Sequence, residues 1–341
     1  MKRWKYFQCL ILMGMLFFLK SNCKIADEIP ISAKMDQIDN EYNVKTYGYR
    51  TDHNQKNRKW LTDCEYIFFE KMKIPGMPDT LEEDYSKNLI YTRKQCLQGL
   101  CITENYALLT AYSQDKDVNS ALIIMDRFSG KHLVTLGLDR FSHVGGITFD
   151  GEYVWICNSY DSTLSRIPFE TVRKAADSDT DVCLDFSSNL ETFSVENVPS
   201  CVTYYGGYLW VGTHSLYFNS EMSVYGYDRT KENLEKICNY KIPPKVQGIA
   251  FDQTGAILFS TSYGRRNSSM IIKYNSLKAL AKDLNDPELE VEMPPCAEGI
   301  TVVSGYAYVL FESANEKYYR GTDGKGISEA PLDRILVIKS I

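Results

Sequence analysis

Two carboxylates, Glu298 and Glu312, flank a Ser304-Gly305 turn and are joined to it by short apolar runs. Read as a hairpin, the segment sets them opposite one another, roughly 5 Å apart on one face. Two carboxyls that close do not ionise independently: one keeps its proton, or a cation sits between them. The pair is an acid/base couple, a divalent-cation site with Glu298 and Glu312 as metal ligands, or a solvated acidic rim. A register change of one residue removes the pairing altogether. His143 and His214 are the side chains suited to move a proton near neutral pH, although a lone loop histidine serves equally as a hydrogen-bonding residue. No Gly-x-Ser-x-Gly elbow, Walker loop or His-Glu-x-x-His sequence occurs. Ten cysteines without a Cys-x-x-Cys pair, beside four histidines, argue against structural zinc. With 38 basic residues against 44 acidic ones, bulk charge does not support a nucleic-acid partner.

Residues this far apart need a scaffold that gathers distant segments, and an internal repeat supplies one. Five segments share a small or glycine-led apolar strand, a tight turn, and a second apolar strand ending in small polar residues. They start at Gln98-Gly99-Leu100, Gly145-Gly146-Ile147, Ser200-Cys201-Val202, Gln247-Gly248-Ile249 and Glu298-Gly299-Ile300. Equivalent positions 99, 146, 201, 248 and 299 are spaced by 47, 55, 47 and 51 residues. Most intervening turns carry Gly, Asn or Asp, the residues that tolerate positive φ in tight hairpins. Third strands follow near residues 121–125, 164–167, 223–227, 270–274 and 335–338, with fourth strands such as 133–138 and 235–242. A period near 50 built from short strands predicts an all-β protein, a β-propeller.

After Gly299 the remaining residues reach only a third strand, so an earlier segment must supply the missing outer one; an open sheet edge is a liability. Residues 43–49 and 64–69 are the candidates. The expectation is five blades over residues 96–341, closed by an N-terminal strand from the extension 24–95. Six blades is the alternative, with a degenerate blade in that extension. Helices are expected at Phe169–Ala176 and at residues 276–284, and a long loop at 314–331.

Lys2, Arg3 and Lys5 precede an apolar run over residues 9–19, too short to span a bilayer and suited to an export signal ending at Cys23. An uncleaved signal anchor is the alternative. Removing residues 1–23 leaves 34 basic and 44 acidic residues, a shift in formal charge from −6 to −10. Eight cysteines remain in an oxidising compartment, as disulfides or as buried thiols. The expected product is a secreted, extracellular monomer without a transmembrane segment.

The sequences Gln-Gly-Ile-Ala-Phe-Asp at 247–252 and Gly-Gly-Ile-Thr-Phe-Asp at 145–150 resemble innermost strands of secreted bacterial propellers of the NHL-repeat, streptogramin-lyase-like and gluconolactonase-like superfamily. The resemblance runs over residues 96–341 and implies the propeller fold. In gluconolactonase-like enzymes it further implies a divalent metal at the channel mouth, held by Glu, Asn and Asp. Glu298 and Asn158 match such positions; the second Asn and the Asp have no counterpart.

In a propeller the first strand begins, and the second ends, at the channel mouth, where ligand sites gather. The repeat opposes Gln98 to Ala111, Gly145 to Asn158, Ser200 to Thr213, Gln247 to Thr261 and Glu298 to Glu312. Gln98, Tyr112, Asn158, Tyr160, Gln247, Tyr263 and Arg265 are the expected ligand-binding residues. This polar, aromatic ring suits a carbohydrate or peptide ligand, and the same residues suit a water-filled entrance. The leading expectation is a binding module; the alternative is a lyase or hydrolase using His143 or His214 with the two glutamates.

Overall fold

The structure, a computed structural model, describes residues 60–62, 64–69, 71–75, 95–114, 118–139, 142–178 and 183–339. The export segment and the strand candidate at 43–49 lie outside these residues. Five sheets form a ring, a five-bladed β-propeller. Blade 1 consists of Gln95–Ile102, Tyr106–Ser113, Ala121–Asp126 and His132–Gly137, with Cys183–Asp185 added in parallel at its outer edge. Blade 2 consists of Ile147–Phe149, Tyr153–Asn158, Thr163–Pro168 and Glu191–Ser194, blade 3 of Cys201–Tyr205, Tyr208–Thr213, Ser220–Asp228 and Asn233–Ile242. Blade 4 consists of Val246–Phe251, Ile257–Thr261, Ser269–Tyr274 and Leu289–Met293. In blade 5, Ala297–Val303, Tyr306–Phe311 and Leu336–Lys339 are completed by Tyr66–Phe68, which pairs antiparallel with the chain's last described strand. The segment at 64–69 thus closes the ring. The described part of the N-terminal extension provides a strand, not a sixth blade.

Burial explains why the strand patterns differ within a blade. Each sheet packs face to face against its two neighbours, so middle strands are covered on both sides and read as apolar runs; Ile257–Thr261 is buried throughout. The outer strand Asn233–Ile242 instead alternates between exposed and buried residues, as a half-covered strand must. The core is therefore a series of layers between blades. Trp155, Val202, Leu209, Val211 and Tyr225 fill one between blades 2 and 3. Phe68, Leu258, Ile271, Val309, Phe311 and Leu336 fill another between blades 4 and 5.

The repeated glycine answers crowding at the axis rather than turn geometry. A Cβ on Gly299 would lie 2.6 Å from the backbone nitrogen of Leu100 in the next blade. Blade 3 breaks the pattern with Cys201, and its second strand compensates: a Cβ on Gly212 would come within 2.6 Å of the Cys201 sulfur. One small residue per hairpin keeps neighbouring inner strands at contact distance.

The expected helix Phe169–Ala176 forms with Glu170 and Arg173 outward and Val172 and Ala175 buried. A shorter one, Leu277–Lys282, is capped by the Ser276 side chain accepting from the Ala279 N–H. Cys96, Cys101, Cys157, Cys201 and Cys296 are buried thiols in or beside strands, so the disulfide option fails for these five.

Candidate functional site

The inner strands of blades 1, 4 and 5 each carry a β-bulge near the channel mouth, between Leu97 and Leu100, Val246 and Gly248, and Ala297 and Ile300. The bulges correct three expected pairings. Ala111 opposes Leu97 rather than Gln98, Thr261 opposes Val246 rather than Gln247, and the Glu312 N–H donates to the Cys296 carbonyl at 3.0 Å rather than facing Glu298. A bulge inserts an unpaired residue and re-aims its side chain. The re-aimed residues are Gln98, Gln247 and Glu298, and they converge.

Glu298 and Glu312 share a hydrogen bond despite the changed register. The Gln247 amide donates to Glu298 Oε1 at 3.2 Å, and the Gln98 amide donates to Glu312 Oε2 at 3.2 Å. Tyr318 adds a hydroxyl to Glu312. Both glutamates are buried, with relative exposures of 3% and 8%. Burial, then the Glu312 charge and the shared hydrogen bond, hold the Glu298 carboxyl well above its ordinary value of 4.5. Burial raises Glu312 too, opposed by the Lys317 ammonium and the Tyr318 hydroxyl. Burial raises both carboxyls, so the pair holds a proton between them. Carboxyls sharing a hydrogen bond lie too close to flank a glycosidic bond, which needs a separation of about 5 Å or more. They are arranged to pass a proton or to hold polar groups of a ligand.

The long loop at 314–331 supplies the rest of the site. Asn315 ties it to blade 1, accepting from the Leu97 N–H at 3.2 Å and donating to the Gln95 carbonyl. Lys317, on the short helix Glu316–Tyr319, donates to the Tyr112 hydroxyl at 2.6 Å and lies 4.7 Å from the centroid of the Tyr318 ring. Arg265, expected to meet ligand, instead clasps this loop. It donates to the carbonyls of Lys317 (3.1 Å) and Gly326 and to Asp323 (2.5 Å), with its guanidinium 4.6 Å from the Tyr318 centroid. That clasp consumes the charge that was expected to dock a ligand.

The His143 ring lies tilted against Tyr112 with centroids 4.7 Å apart, and the Tyr160 ring is 6.1 Å from it. Burial, then the Lys317 ammonium and His214, lower its pKa to about 4, so it is neutral at pH 7. His214 is held through Nδ1 against the Val246 carbonyl at 3.1 Å. The histidines share the mouth with the carboxylates, but the polar partners that reach Glu312 are Gln98, Glu298 and Tyr318.

Asn158 is turned away from this group. Its amide is held by Ser142, Thr163 and Ser165 within the blade, where it lines a cavity of about 220 Å³ with Asp139 and Asp161. The Glu298–Asn158 ligand pair implied by the superfamily resemblance is therefore not assembled. No group of three or more metal-ligating side chains occurs among the described residues. Val144, Lys245 and Cys296, before the inner strands of blades 2, 4 and 5, have left-handed backbone with φ of 46°, 62° and 66°. Such conformations are costly for side-chain-bearing residues and cluster at sites; the sequence carries no signal for them.

The protonated pair makes stability depend on pH. The folded chain holds the Glu298 proton above 4.5, whereas the unfolded chain releases it near that value. Stability is fully present below the unfolded pKa and falls as pH rises through the raised folded one. Glu298→Gln cannot ionise and is expected to lose this part of the slope, read from urea midpoints between about pH 4 and 9. An unchanged slope would contradict the protonated assignment.

No family model matches the chain, and no curated protein matches it. Among solved structures it is similar to hydrazine synthase of Kuenenia stuttgartiensis, at 9% identity and a TM-score of 0.37, over 62% of this chain and 55% of that one. The chain thus spans about half the length of that relative. It is also similar to glutaminyl cyclase of Myxococcus xanthus (10%, TM-score 0.43, 72% and 91% of the two chains) and to a chain of a nidogen/laminin complex (11%, 0.40, 69% and 80%).

Proposed function

We propose that this is a secreted propeller that binds a carbohydrate or peptide at its channel mouth. The observation that supports it is the buried Glu298–Glu312 pair, ringed by Gln98, Gln247, Tyr318 and Lys317 from three blades and a clasped loop. Burying so many polar groups together costs stability unless their partners are satisfied. Export is read from residues 1–23; no helix among the described residues is long and apolar enough to cross a membrane.

A second reading, an acid–base enzyme of the lyase type, is favoured by one observation: two buried carboxyls, Glu298 and Glu312, share a hydrogen bond. In that reading Glu312 takes a proton from substrate, Glu298 gives one to the leaving group, and the shared hydrogen bond returns the proton between them.

The test is retention of oligosaccharides and peptides by the exported chain and by the Glu298→Gln/Glu312→Gln double variant. The variant is expected to lose at least about tenfold in affinity, as when buried charge-assisted hydrogen bonds worth about 1.5–3 kcal/mol are removed. Undiminished retention would remove the site. Substrate turnover that disappears with either single variant would favour the second reading.

A further inference from the structure

We infer that the ligand is a neutral saccharide chain, lying on the exposed aromatic side chains of the mouth face with one end over the Glu298–Glu312 pair. This rests on the mouth being the binding site, as proposed above, and names the chemistry of its occupant. The connections between second and third strands emerge on this face in every blade. They carry large exposed rings in three consecutive blades: Tyr160 (70% exposed), Tyr217 and Phe218 (82% and 79%), and Tyr263 (44%). Rings so exposed, on one face of a folded chain, mark an interaction surface. They alternate with Ser, Asn and Asp in the same loops, a mixture of flat apolar platforms and hydrogen-bonding groups that matches a sugar ring, apolar on its faces and polar at its edge.

The platforms lead inward. From Tyr160 the row passes through His143 to Tyr112, whose hydroxyl accepts from Lys317 beside the glutamates. At the floor, Glu312 beside Gln98 and Glu298 beside Gln247 each set an acceptor next to an amide donor at 3.2 Å. Bonded to one another and largely buried, these pairs make a polar floor beneath the innermost ring. At this floor charge is balanced, with Lys317 against Glu312 and Arg265 committed to Asp323, while Lys245 and the exposed Arg266 stand farther out beside Tyr263. A uronate or a peptide terminus on the floor would bring in a charge without a partner, which burial penalises.

The test presents neutral oligosaccharides, uronate-containing oligosaccharides and a peptide library to the full exported chain. Neutral saccharides are expected to be retained. Tyr160→Ala and Tyr217→Ala/Phe218→Ala are each expected to lower affinity about three- to tenfold, the worth of one aromatic contact, with thermal unfolding unchanged. Retention of peptide or uronate instead, lost in the Glu298→Gln/Glu312→Gln variant, would overturn the saccharide inference and keep the mouth as the binding site. Neutral saccharide held equally well by both aromatic variants would overturn the platform. No retained ligand of any class would overturn both readings.

Discussion

A chain beginning at residue 76 is expected to lose the cooperative unfolding shown by one beginning at residue 24. The shorter chain lacks Tyr66–Phe68, so Leu336–Lys339 becomes an open edge, without the register Tyr66 to Ile338, Ile67 to Val337 and Phe68 to Leu336. Packing is lost on both sides of blade 5. Leu61 and Phe68 leave the layer shared with blade 4, and Phe69, Met72 and Ile74 leave the layer shared with blade 1. Each buried side chain of this kind is worth about 1.5–3 kcal/mol, so the five together are comparable with the whole net stability of a domain, about 5–15 kcal/mol. Near-ultraviolet circular dichroism and a urea melt distinguish the outcomes. A sigmoidal melt at the longer chain's midpoint would show that the ring closes without this strand.

Gly299→Ala is expected to be strongly destabilising. The new Cβ would lie 2.6 Å from the Leu100 nitrogen, 2.9 Å from the Gln98 oxygen and 3.0 Å from the Gly99 carbonyl carbon, all backbone of blade 1. Backbone of an inner strand cannot swing aside as a flexible side chain can, so the two blades must separate. Overpacking of this kind costs about 1–3 kcal/mol or more, and the upper end is expected here. Gly305 makes the control. Its φ is +81°, with nothing within 4 Å of an added Cβ, so Gly305→Ala meets only left-handed strain of about 1–2 kcal/mol. Chemical denaturation should rank Gly299→Ala as the more damaging. The reverse order would mean that neighbouring inner strands do not touch as described. Because Glu298 precedes Gly299, the same variant should also weaken ligand retention.

Much of the ring was legible before any coordinates. Glycine-led strands at a period near 50, tight turns between them, and an incomplete last blade pointed to five blades, with six as the alternative, closed by residues 43–49 or 64–69; Tyr66–Phe68 is the strand that pairs there. The helix Phe169–Ala176 was readable from its amphipathic spacing. Register was not. Gln98, Gln247 and Glu298 sit in bulges, and a bulge depends on how an inner strand meets its neighbours at a crowded axis, not on residues within the hairpin. The two carboxylates meet, but through the bulge rather than through the cross-strand pairing read from the turn.

The loop at 314–331 shows the same division. Its composition said only that it was long and polar, so Asn315, Lys317 and Tyr318 went unnamed as site residues. Their positions come from the Leu97 backbone, the Tyr112 hydroxyl and the Arg265 guanidinium, more than 50 to 200 residues away in the chain. Asn158 matched a polar mouth position by repeat count, yet three hydroxyls of its own blade neighbourhood hold its amide elsewhere. The sequence by itself determined what repeats: strand, turn, glycine, closure, and the identity of the two carboxylates. Only the tertiary structure decided which side chains share the mouth and that its two carboxyls are buried together. Repetition is local and survives in one hairpin, whereas burial, bulges and charge balance exist only once five blades are packed around one axis.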